Sequence, residues 1–93
     1  MVTLSLCVTF HIPFAHSLKE KRRVVKSLVD KVRHRFNVSI AEVSHMDVHQ
    51  MAVIGLAVVS NDPTHARSQL DIILGFMESN TDANVIHVEQ MQS

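Results

Sequence analysis

A chain of 93 residues is bounded to one domain, residues 1–93, with a single two-layer core and no room for a large enclosed active site. Apolar residues make up 46% of it, ordinary for a globular protein and too many for a disordered one. Its only aromatics, Phe10, Phe14, Phe36 and Phe76, are too few for a base-stacking platform for single-stranded nucleic acid.

The formal net charge of zero conceals a dipole. Between Leu18 and Phe36 stand eight basic residues against Glu20 and Asp30, giving +6. The rest of the chain sets only Arg67 against seven carboxylates, giving −6. Cys7 is the single cysteine, so no disulfide forms within the chain. The sequence opens directly into a strand pattern without a basic leader. No apolar run reaches the ~20 residues of a membrane span. The expected compartment is the cytoplasm.

Residues 2–11 alternate strictly. Val2, Leu4, Leu6, Val8 and Phe10 share one face, and Thr3, Ser5, Cys7, Thr9 and His11 the other. This predicts a strand with one buried face, ended by Pro13. Ser17 followed by Glu20 is a capping box, in which each side chain satisfies a free amide at the start of a helix. Leu18, Val25, Leu28, Val29, Val32 and Phe36 continue it as one apolar stripe. Asn37 is placed to stop the helix in the left-handed conformation.

Residues 38–45 read as a second strand with Glu42 inside it, and Met46 to His49 as a turn around Asp47. Residues 50–59 are apolar on both faces and predict a central strand. Asp62 caps the second helix, with Pro63 at its first position, where a missing amide costs nothing. Ala66, Leu70, Ile73, Leu74 and Met77 form its buried stripe. Asn80 to Asn84 make a turn. Val85 to Met91 make the last strand, with Ile86 and Val88 facing inward.

The order βαββαβ predicts an α+β, ferredoxin-like sandwich: an antiparallel sheet of order 4-1-3-2 with two helices on one face. Ile54, Leu56 and Val58 are assigned to the helix side. Val53, Gly55 and Ala57 are assigned to the open side, beside Ser5, Cys7 and Thr9, with Val85 and His87 beyond. A one-residue slip would exchange the two faces.

Three stretches carry a family resemblance spanning nearly the whole chain. They are Ser17-Leu18-Lys19-Glu20-Lys21-Arg22, Asn37-Val38-Ser39-Ile40-Ala41-Glu42-Val43, and Val53-Ile54-Gly55-Leu56-Ala57-Val58-Val59-Ser60. Through them the sequence resembles the YlxP-like family of small bacterial proteins. The first stretch is the more specific; the other two are mostly strand chemistry. The resemblance implies a ferredoxin-like fold and no established activity. The family's genes often lie beside translation-initiation and ribosome-maturation genes, which implies an association with the ribosome. No catalytic or ligand residues come with it.

The candidate chemistry centres on the first helix. At 100° per residue, Lys19, Arg22, Arg23, Lys26 and Arg33 fall in one sector, interrupted by Asp30. A helix face of this kind contacts RNA phosphates, or is simply a solvated face supported by a Lys26–Asp30 pair. Ser17 with Lys21 lacks the Ser-x-x-Lys spacing of a nucleophile and base, and capping accounts for Ser17. His11 and His16, and His45 and His49, bracket loops without a second cysteine or a carboxylate cluster, so no metal or cofactor is expected. Cys7 has no adjacent cation to activate it. The segment Ile12 to His16 lacks the arginine-bearing cradle of acylphosphatase-like enzymes. Val53, Gly55 and Ala57 lack the aromatics of an RNA-recognition motif.

The sequence therefore predicts a non-catalytic protein that binds structured RNA, ribosomal RNA or a ribosomal surface, through Lys19, Arg22, Arg23, Lys26 and Arg33. The alternative is a protein-interaction or dimerisation module on the open sheet face. There Val53, Gly55, Ala57 and Cys7 would form the contact of a homodimer. No membrane partner is expected.

Overall fold

A computed structural model describes all residues from Met1 to Ser93. The elements run β1 (Val2–His11), α1 (Leu18–Arg35), β2 (Ser39–Ser44), β3 (Met51–Ser60), α2 (Pro63–Ser79) and β4 (Asn84–Gln92). The four strands form one antiparallel sheet in the order β2-β3-β1-β4. This is the predicted ferredoxin-like sandwich, with the apolar β3 and the alternating β1 at its centre.

The period-two pattern of β1 translates directly into burial. Leu4, Leu6, Val8 and Phe10 are buried, while Ser5, Cys7 and Thr9 between them are half-exposed. In β3, Ala52, Ile54, Leu56 and Val58 are buried, so Val53, Gly55 and Ala57 lie on the open face as expected. The core closes on Val25, Leu28, Val29 and Val32 of α1 and on Ala66, Leu70, Ile73 and Met77 of α2. The one crevice inside this core measures about 10 Å³, between Phe10, Ile12, Val25 and Leu28, room for one water at most.

Two local expectations need correction. Asn37 is not left-handed. Helix α1 instead leaves through Phe36 in extended backbone (φ −126°, ψ 146°), whose amide closes on Val32 O at 2.8 Å. The Phe36 ring packs edge-on against Phe76 at 5.2 Å, an apolar anchor that replaces the left-handed stop. The positive φ, 61°, belongs to His45 in the β2–β3 turn, where Val48 N donates to His45 O.

The second correction concerns β4. Val88, opposite buried Val8, does lie on the helix side, but both it and the bulged Ile86 are exposed, because the helices pack on β1, β2 and β3 and leave β4 largely uncovered. A bulge opposite Thr9 and Phe10 also shifts the register. It pairs Val85 with buried Phe10 and so moves Val85 from the open face to the edge of the core, while His87, opposite Thr9, stays on the open face.

Candidate nucleic-acid interface

Helix α1 presents the basic face, and its start is fixed by the cap. Ser17 Oγ accepts from Glu20 N at 3.1 Å, and Glu20 Oε2 accepts from His16 N at 2.9 Å. The box is thus displaced by one residue on its return arm, reaching the amide before the cap. Ser17→Ala should lower stability by about 0.5–2 kcal/mol in denaturant melts, through one unpaired first-turn amide.

The eighteen residues of α1 extend ~27 Å, and Lys19 to Arg33 span ~21 Å of that length. Lys19, Arg22, Arg23, Lys26 and Arg33 are all exposed. The structure gives them different partners. Lys26 Nζ pairs with Asp30 Oδ2 at 2.8 Å, both groups in solvent, a contact of little energetic weight. Arg33 Nη2 donates to Ile40 O of β2 at 2.7 Å, which ties the helix to the sheet edge and leaves its other donors outward. Lys19, Arg22 and Arg23 have no carboxylate within 4 Å.

Two shallow hollows flank this face. One, of about 240 Å³, lies where Arg23 and Ser27 meet Asn80, Thr81 and Asp82. The other, of about 460 Å³, is formed by Asp30, Lys31, His34, Arg35 and Phe76. Arg35 lies over the Phe76 ring at 5.0 Å and the Phe36 ring at 5.8 Å, and so covers the aromatic pair. Arg33, His34 and Arg35 also occupy the last helical turn, where the dipole favours cations.

Lys21 does something the charge count conceals. Its side chain is 0% exposed, and Nζ lies 2.8 Å from Glu42 Oε2 on β2 and 2.5 Å from His45 O. That carboxylate oxygen is buried and has no aligned hydrogen-bond donor, so the lysine charge is its sole compensation. Gln50 Nε2 donates to Pro13 O and Ala15 O from the same turn region, and Ile12 N donates to Gln50 O. The β1–α1 loop, the first turn of α1 and the β2–β3 turn are thereby joined. The sequence carried the signal: Lys21 stands three residues after Leu18 and four before Val25, inside the apolar stripe.

On the open face, Val53, Gly55, Ala57 and Cys7 are half-buried, with Cys7 directly opposite Gly55. Val43 leans over Gly55, where an added Cβ would meet its Cγ1 at 3.0 Å. The strip is therefore ridged by Val43, and Val43 and Val59 are its most exposed apolar members. His11, His16, His45 and His49 do not join other His, Cys, Asp or Glu side chains in any group of three or more suited to a metal. No helix is long and apolar enough to cross a membrane.

Comparison with known proteins agrees with this architecture. Residues 3–90 match the family described as "Protein of unknown function (DUF503)". The chain is 40% identical over 65 residues to "Uncharacterized protein YlxP" of Bacillus subtilis (strain 168), covering 70% of this chain and 71% of that one. Among solved structures it is similar to the de novo designed protein LFR1 1 with ferredoxin fold. That match has a TM-score of 0.61 at 17% identity and covers 99% of this chain and 85% of the design. It is also similar to the de novo designed protein Foldit4, with a TM-score of 0.52 at 13% identity over 99% and 94% of the two chains. At these identities the designs speak to the fold alone.

Proposed function

The chain belongs to the YlxP-like DUF503 family, and within that family we propose that it binds structured RNA, ribosomal RNA in the first instance, through the exposed face of α1. One observation carries this reading. Lys19, Arg22 and Arg23 are three solvent-facing cations on adjacent turns without a carboxylate partner, in a chain of zero net charge. Seven of the nine acids lie outside this helix, and of the acids near the face only Asp30 is paired with one of its cations, so its positive potential is only partly cancelled locally. Lys26 adds to it, since its exposed pair with Asp30 is easily exchanged for phosphate.

The mechanism is phosphate contact with little base readout. A straight helix face about 21 Å long can follow a double-helical backbone. The open sheet face offers no Phe, Tyr or Trp on which bases could stack. Arg33 contributes through the donors not engaged by Ile40 O.

Equilibrium binding of the purified protein to helical fragments of ribosomal RNA, measured across a salt series, tests the reading. Affinity should fall steeply as salt rises and should be nearly independent of sequence. Absence of binding at low salt, or binding indifferent to salt, ends it.

A further inference from the structure

We propose that the free edge of β4 pairs with β4 of a second copy of this chain, antiparallel and two-fold symmetric about Val88. Four observations converge on this surface. The first is the contrast between the two sheet edges. The β2 edge is short, six residues, interrupted by a bulge between Glu42 and Ser44, with Arg33 occupying the Ile40 carbonyl. Those are the features that protect an edge from pairing. β4 is nine residues long, contains no Lys, Arg or Pro, and has its own bulge near one end, at Ile86, which leaves His87 to Gln92 as an uninterrupted edge.

The second observation is the direction of the hydrogen-bonding groups. Thr3 and Ser93 exchange both backbone bonds, Thr3 N to Ser93 O at 3.0 Å and Ser93 N to Thr3 O at 2.8 Å. In an antiparallel ladder such pairs alternate. Met91, Glu89 and His87, opposite Ser5, Cys7 and Thr9, therefore turn their groups toward β1. Gln92, Gln90 and Val88 turn theirs outward, toward a strand that this chain does not supply.

The third observation is polar complementarity. Val88 is the middle residue of Asn84–Gln92 and the first outward-turned residue beyond the bulge, and pairing centred there sets Val88 on Val88. His87 then stands opposite Glu89 of the partner subunit, and Glu89 opposite His87 of the partner subunit. An imidazole N–H facing a carboxylate can donate a hydrogen bond to it, and facing pairs that interact in this way stabilise a strand pair. Within one chain the two side chains already approach to 3.3 Å in solvent. The fourth is apolar exposure. Ile86, Val88 and Met91 are 55%, 38% and 52% exposed, and the same pairing sets Val88 against Val88 of the partner subunit on the helix side of the sheet. A two-fold axis normal to the sheet makes eight continuous strands and keeps both pairs of helices on one side.

Sedimentation equilibrium of the full chain across the micromolar range should show a dimer. Val88→Pro removes an outward amide that the β1–β4 ladder does not use. It should weaken association roughly tenfold to a hundredfold through two symmetry-related hydrogen bonds. Glu89→Lys should weaken it too, and the exchange His87→Glu with Glu89→His should restore it. In a Cys7→Ser background, Val88→Cys should cross-link two copies, because facing residues of a bonded pair lie about 5.5 Å apart at Cα. Met91→Cys in the same background should not. A parent protein that stays monomeric overturns the proposal. So does a dimer that survives Val88→Pro and Glu89→Lys but dissociates with Val53→Lys, which places the contact on the open face.

Discussion

Lys21→Ala is expected to destabilise the protein by about 3–5 kcal/mol, the cost of breaking a buried ion pair from one side. Lys21 is wholly buried and Glu42 is 17% exposed. Removing the ammonium strands a carboxylate oxygen that has no other compensation, and it leaves the His45 carbonyl without its side-chain donor. A domain of this size is stable by only about 5–14 kcal/mol, so the loss is a large fraction of the total. In thermal melts it should appear as a fall of more than about 12 °C. The exposed neighbour Lys19→Ala should change stability by less than about 0.5 kcal/mol.

The double variant Lys21→Met with Glu42→Leu separates the pair's net worth from the cost of breaking it. Replacing both charges by apolar groups of similar volume should recover most of the lost stability, because neither ion is left uncompensated. The coupling energy from the double-mutant cycle should exceed about 1 kcal/mol. A Lys21→Ala protein within about 1 kcal/mol of the parent would show that water already reaches the pair. The His45 backbone makes the same point structurally. A left-handed histidine is uncommon, and here its carbonyl is held by the lysine.

These residues also show where sequence reading succeeds and where it stops. The alternation of β1, the two-sided apolarity of β3, and the Ser17 and Asp62 caps are local signals, and each became the element it predicts. Lys21 and Glu42 were equally local in position. Lys21 lies on the apolar stripe of α1, and Glu42 alternates with buried Ile40 on the helix-facing side of β2. Counting them as charge concealed that two opposite charges stood at core positions of neighbouring elements. By contrast, nothing local shows that Arg33 reaches the Ile40 carbonyl or that β4 lies largely outside the helical layer. Both depend on how the elements pack. The bulge that redirects Val85 depends on the register with β1, which a strand's own pattern does not contain. Of the candidate site, the basic run was legible, but which of its cations face solvent without partners was not.

That distinction sets the scale of the effect expected from the helix face itself. Replacing Lys19, Arg22, Arg23 and Lys26 with Gln should flatten the salt dependence of RNA binding by about 3 in the log–log slope, at ~0.7 to 0.9 per phosphate contact. Between 50 and 200 mM salt, a slope change of that size removes roughly a sixty-fold variation in affinity. The four positions are exposed, and none is a core residue, so the variant should fold with little loss of stability. Glutamine keeps the helix propensity and most of the side-chain length, which confines the change to charge. Lys26→Gln alone should give the smallest share, because Asp30 already competes with phosphate for that ammonium. Arg22→Gln and Arg23→Gln should each give a full one. A quadruple variant whose slope matches the parent's would place the RNA contacts elsewhere on the molecule. A slope that falls equally for Lys31→Gln and Arg35→Gln would move the interface round the helix to the hollow beside Phe76.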